Sequence, residues 1–141
     1  MPSICPFFTA EVTIKPAPEP SGGLFSTARD YATFLQMIAN GGELEGVRIV
    51  SAASVAEMTK PLLIYGKSTG YGLGWAQVAL SKNAVPHSLS GIGHGGAFAT
   101  NGLIDPQQGI IAVLMIQRQL TDDGGDVQTA FHKQLVKSIR D

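Results

Sequence analysis

Cysteine is almost absent: Cys5 is the only one in 141 residues. No internal disulfide can form, and a lone thiol says nothing about the redox state of the compartment. Charge is also sparse. Charged residues make up 15% of the chain and nearly cancel, leaving a formal net charge of −1. The ten Lys and Arg are scattered without a basic run, so the electrostatic footprint of a nucleic-acid binder is missing. No apolar stretch approaches the roughly 18 residues of a membrane-spanning helix. Met1 to Ala10 has neither a basic n-region nor a long apolar h-region, so it does not read as a signal peptide and the compartment stays unknown.

Several kinds of active-site chemistry lack their residues. The nucleophile elbow Gly-x-Ser-x-Gly is absent; Ser90 follows Ser88, where a glycine would be needed. No serine has a lysine three positions on, the spacing that puts an activating amine one helical turn from a hydroxyl. His87, His94 and His132 show no metal-ligand spacing and Cys5 stands alone, so no metal or cofactor is implied. His87 and His132 read as solvated surface residues. Gly91-Ile-Gly-His-Gly-Gly96 matches Gly-x-Gly-x-x-Gly. A dinucleotide site would need a helix next and an acidic residue about 20 positions on, but strand-like sequence follows and residue 116 is Ile.

What the chain has in quantity is glycine, 17 residues, with 8 prolines. That many turn formers fit an α+β fold, an antiparallel sheet with flanking helices, better than a helical bundle. Phe7 to Ile14 is rich in β-branched and aromatic residues and predicts a strand. Lys15 to Pro20 must be an extended connector, since each proline fixes its own φ and restricts its predecessor. Thr27 and Asp30 form a capping box for a helix carrying Tyr31, Phe34, Leu35 and Ile38 on one stripe, which Asn40-Gly41-Gly42 ends. Val47 to Val50 predicts a short strand. Ser51 caps a second helix with Val55 and Met58, stopped by Pro61. Tyr71 to Val78 alternates as one strand, with Tyr71, Leu73 and Trp75 on one face as core or cleft wall. Phe98 to Ile104, the turn Asp105 to Gly109, and Ile110 to Ile116, apolar on both faces, complete the sheet. A last helix from about Asp126 buries Val127, Phe131, Leu135 and Ile139.

His94 stands out because glycine flanks it closely. Glycine weakens a strand, so Gly95 and Gly96 mark either a bulge or turn, or a place where backbone approaches a ligand. The residues favour neither account. Gly96→Val is expected to damage the fold or site more than Gly42→Ala, at the second of two helix-ending glycines, damages the fold.

Four stretches together resemble the serine β-lactamase-like family of class C β-lactamases, penicillin-binding peptidases and related esterases. They are Ser21 to Asp30, Asn40 to Ser51, Tyr71-Gly-Leu-Gly-Trp75, and Gly93 to Thr100 with Asp105-Pro106 and the apolar strand behind it. The resemblance implies the C-terminal part of the β-lactamase/penicillin-binding transpeptidase-like fold, with residues 1–20 as arm and connector and 21–141 as a partial domain. Of the family's three motifs only the sheet-strand triad is matched, as His94-Gly95-Gly96; Ser-x-x-Lys and Tyr-x-Asn are not present. His94 would orient substrate in the cleft, the Ala97 N–H would serve an oxyanion hole, and Gly95 and Gly96 would let substrate lie along the strand. A histidine where β-lactamases carry lysine favours an esterase or peptidase-like parent.

The resemblance thus implies a serine hydrolase of esters or amides whose nucleophile lies outside these residues, with the chain inactive alone. The alternatives are a non-catalytic binding or interaction module on the same fold, and a fragment without a function of its own. Members of the family are often periplasmic or secreted. A small ester or amide is the expected ligand, and a second copy, paired through an exposed sheet edge, the expected partner.

Overall fold

The computed structural model describes residues 24–65, 69–79, 90–118 and 125–138. The expected strand at Phe7 to Ile14, the proline connector, His87, Ile139 and the division at residue 20 lie outside them.

The first helix, α1 (Ala28–Ala39), starts where the capping residues place it. Thr27 Oγ1 accepts from the Asp30 N–H at 3.1 Å and donates to the Asp30 carboxylate at 2.8 Å. The carboxylate thus holds the capping hydroxyl rather than the backbone N–H of the box. At the other end, the Gly41 N–H reaches Ile38 O and the Gly42 N–H reaches Met37 O. That is a Schellman cap, which uses two otherwise orphan carbonyls. Gly42 proves more constrained than its position in sequence indicates. Its φ is +94°, and a Cβ there would be driven into the Val50 carbonyl. Its own carbonyl accepts from the N–H groups of Ile49 and Val50.

Those two bonds also shorten the expected Val47 to Val50 strand. Only β2 (Val47–Arg48) pairs, antiparallel with β1 (Glu43–Leu44), across a two-residue turn in which Glu45 and Gly46 both have positive φ. The chain then enters α2 (Ala52–Thr59), capped by Ser51, whose hydroxyl accepts from the Ser54 N–H at 3.0 Å.

The main sheet is an antiparallel meander. Its strands β3 (Leu63–Tyr65), β4 (Thr69–Tyr71), β5 (Ala76–Ala79), β6 (Ser90–Gly95), β7 (Asn101–Asp105) and β8 (Ile110–Leu114) lie side by side in chain order. The single strand expected over Tyr71 to Val78 is instead two strands and a turn. Tyr71 pairs with Ala76, and the Gly72 N–H donates to Trp75 O at 2.7 Å. Gly74, at φ +81°, supplies the backbone reversal, so Leu73 points outward at 59% exposure while Trp75 is 5% exposed in the core. The expected Phe98 strand likewise begins only at Asn101, because residues 96–99 form a turn in which the Ala99 N–H bonds Gly96 O.

Both faces of the sheet are covered. On one, Leu35, Ile38, Val55 and Trp75 pack with Ile92, Ile104, Ile111 and Val113. On the other, α3 (Gly125–Ser138) sets Phe131, Leu135 and Val136 against Leu103, Ile110 and Ala112. The alternation of Leu103 and Ile104, and of Ile111 and Ala112, between the two clusters explains why this sequence is apolar without a polar face. The turn after β7 is fixed by Asp105, fully buried, whose Oδ1 accepts from the N–H groups of Gln107 and Gln108 at 3.0 and 3.1 Å. Among the described residues β8 is one edge of the sheet, and no helix is long and apolar enough to cross a membrane.

Candidate functional site

The site expected around His94 lies at the end of an interior strand. On one side β6 is paired with β7 through His94↔Gly102 and Gly95↔Asn101. On the other, the ladder to β5 stops at Ala76↔Gly93. His94, Gly95 and Gly96 therefore run on past β5, with a described partner strand on one side only.

His94 is exposed and held at both ring nitrogens. Nδ1 lies 2.6 Å from Gly95 O and Nε2 lies 2.7 Å from the Tyr71 hydroxyl. A carbonyl can only accept, so in the neutral ring Nδ1 carries the proton and Nε2 accepts from the phenol. The two rings meet edge to face at 79°, with centroids 5.7 Å apart.

The glycines after His94 meet protein. A Cβ on Gly95 would come within 3.3 Å of the Gln128 amide, and one on Gly96 would strike the Thr100 hydroxyl. The Gly96 N–H donates to Thr100 O at 2.9 Å, closing the tight turn. Ala97 is exposed in that turn, and nothing among the described residues accepts from its N–H.

Behind the strand, α3 is tied to the same loop. Gln128 Nε2 donates to Thr100 O at 3.2 Å, and His132 Nε2 lies 3.1 Å from Asn101 Oδ1. His132 is 6% exposed, which corrects the expectation of a surface residue. Its place on α3, one residue after Phe131 and four before Val136, turns it inward with the apolar stripe. Burial lowers its pKa below the ordinary value of 6.5. On the opposite face the Tyr31 ring lies against Gly102, the residue paired with His94, and burial raises its phenol pKa.

The sequence model of the beta-lactamase family matches residues 6–137. The chain belongs to the beta-lactamase family. The curated relatives it resembles include two proteins of Mycobacterium tuberculosis. They are "Uncharacterized protein MT1414" of strain CDC 1551 / Oshkosh and "Protein Rv1367c" of strain ATCC 25618 / H37Rv. Each is 31% identical over 112 residues, covering 68% of this chain and 28% of the relative. The chain therefore spans about a quarter of the length of these relatives.

Within this beta-lactamase-family domain the described site gathers His94, Gly95, Gly96 and Ala97, four consecutive residues, on one strand end and its turn. Tyr71 joins them from β4, and sequence reasoning did not place it there. The signal was the Gly-x-Gly between Tyr71 and Trp75, which marks a turn pairing Tyr71 with Ala76 at the end of β5, past which its phenol reaches His94 on β6. The open groove between α1 and the β1–β2 hairpin, about 430 Å³, is lined by residues including Phe34, Leu44 and Ile49 and not by any of these site residues.

Proposed function

We propose that this domain is the substrate-side wall of a serine-hydrolase cleft that acts on an ester or amide by acyl transfer. The 141 residues contain no Ser-x-x-Lys, so the attacking hydroxyl is supplied from outside them. In this reading the substrate acyl group lies along His94 to Ala97, beyond the last β5 pair. The Ala97 N–H then donates to the oxygen that becomes negative as the tetrahedral intermediate forms, and His94 with its neighbours orients the acyl group. The observation that best supports this reading is the Ala97 N–H without an acceptor among the described residues, beside a strand end with one side open. By itself the chain is expected to bind such substrates without being acylated.

A second reading is a non-catalytic binding module. It is favoured by the same missing nucleophile and by Gln128 and Thr100, which account for Gly95 and Gly96 without any ligand. We also propose that β8 pairs with a second copy of the chain.

Titration of the 15N-labelled chain with a phosphonate monoester, tetrahedral and anionic like the intermediate, tests the first reading. The amides of residues 95–97 should shift. Shifts confined to other surfaces, or none at saturating ligand, reject it.

A further inference from the structure

We propose that Tyr71 is the positioning residue of the His94 site. With the Gly95 carbonyl fixing the Nδ1–H tautomer, its phenol caps Nε2, so that a ligand meets a Tyr–His pair rather than a free ring nitrogen. The inference rests on the hydrolase reading above only for what the pair is positioned toward.

The argument begins with how firmly Tyr71 is placed. Its backbone is fixed on both sides: Tyr71 O accepts from the Leu62 N–H at 2.9 Å, and Tyr71 pairs with Ala76 on β5. The turn that follows is locked to α2. The Leu73 N–H donates to Met58 O at 2.9 Å, and a Cβ on Gly72 would sit 2.5 Å from the same carbonyl. Gln77 Nε2 adds a bond to Thr59 O at 2.8 Å, and Trp75 anchors the turn in the core. A side chain on so constrained a backbone reaches His94 at little further entropic cost.

The hydrogen-bond inventory then fixes the chemistry. Gly95 O takes the Nδ1 proton and the Tyr71 O–H fills Nε2. Neither ring nitrogen of the neutral histidine is left for a ligand. The atom still able to bond is the phenol oxygen, which retains acceptor capacity toward a substrate N–H or O–H. Removing the Tyr71 hydroxyl uncovers Nε2, while Gly95 O still accepts from Nδ1.

The test is 15N NMR of histidine-labelled chain, with the His94 resonances assigned by their loss in His94→Gln. In the wild type His94 should show a protonated Nδ1 and an Nε2 shifted as a hydrogen-bonded acceptor. In Tyr71→Phe, which keeps the ring packing, Nε2 should move toward the free-acceptor position while Nδ1 stays protonated. Incorporating 3-fluorotyrosine, which makes the phenol a stronger donor without changing its shape, should move Nε2 the opposite way; this arm stands if Tyr71→Phe fails to fold. A wild-type His94 protonated at Nε2, or an Nε2 indifferent to both changes, overturns the proposal.

Binding of a phosphonate monoester whose acyl side carries an amide N–H, a donor that the phenol oxygen can accept from, supplies the second readout. Tyr71→Phe should weaken it about threefold to tenfold, as expected for one net hydrogen bond. His94→Gln added to Tyr71→Phe should weaken it less than His94→Gln does in the wild type, because the two residues act as a unit; full additivity counts against the pair. If the tautomer signature is present but the phosphonate moves no amide at 95–97, the hydrolase reading fails and the pair survives. If phosphonate binds there and the signature is missing, the pair fails and the hydrolase reading survives.

Discussion

His132 on α3 donates from Nε2 to the Asn101 side chain on β7 across 3.1 Å, inside the layer between helix and sheet. Asn101 is the partner of Gly95 in the ladder, so this buried bond braces the strand end that carries the candidate site. A folded-state pKa below the ordinary 6.5 means that the folded chain binds fewer protons than the unfolded one around that pH. The stability contribution is complete above the unfolded value and is lost as pH falls through the lowered folded value. Melting temperature should therefore drop between about pH 7.5 and about pH 5. His132→Gln, which does not titrate, should drop less over the same interval. Parallel profiles for the two proteins would assign the acid sensitivity to other groups.

For an added methyl group, Gly42 is the more constrained of the two glycines. Gly42→Ala must place a side chain at φ +94° and against the Val50 carbonyl, both backbone constraints. A cost of at least about 2 kcal/mol is expected, in line with strained left-handed positions. Gly96→Ala meets only the hydroxyl of Thr100, a side-chain atom that turning about one bond removes. Chemical denaturation of the two variants decides the order, and Gly42→Ala should show the lower midpoint. Its failure to do so would mean the helix-to-hairpin junction rearranges readily.

Asp105 offers a separate check on the fold. Fully buried, it accepts from two backbone N–H groups and from Gln108 Nε2 at 3.1 Å. Asp105→Ala removes these acceptors from one turn at once. Bonds to charged groups are worth roughly 1.5 to 3 kcal/mol each, and stranded donors on the partly exposed glutamines recover some of that from water. A net loss of about 2 kcal/mol is expected by urea denaturation. A change within experimental error would show that the β7–β8 turn holds without it.

The elements that sequence located best are those whose determinants are local. The caps at Thr27 and Ser51, the glycine stop after Asn40 and the Asp105 turn all depend on residues within five positions of one another. What stayed hidden depends on contacts distant in sequence. The alternation of Tyr71, Leu73 and Trp75 imitates one strand, and the bond from Gly72 N–H to Trp75 O with the positive φ of Gly74 shows the hairpin turn. His132 looks polar in a helix until its partner Asn101, 31 residues away, is seen. For the site, the motif at His94 to Gly96 was visible, but Tyr71 was not, because the bond between them spans 23 residues.

The sheet edge at β8 leads to the last prediction. Among the described residues β8 pairs only with β7, through five register positions from Asn101↔Leu114 to Asp105↔Ile110. Its side chains Ile110, Ile111, Val113 and Leu114 are apolar and partly buried, and Met115 after it is 37% exposed. An apolar edge without proline or lysine lacks the usual devices that discourage pairing with another chain. Two copies related by a twofold axis would pair both edges in one interface, giving a continuous antiparallel sheet. The strand expected at residues 7–14 is the competing candidate for this edge. Sedimentation velocity at micromolar concentration should therefore show a dimer. Ala112→Lys would disturb the α3 face, so the better disruptor is Leu114→Pro, at the end of this edge strand, where proline is tolerated best. That variant should shift the population toward monomer. A wild type that sediments as a monodisperse monomer rejects the dimer. Deleting residues 1–14 then separates the remaining possibilities: self-association that appears only on deletion means the arm covers β8, and unchanged behaviour means it does not.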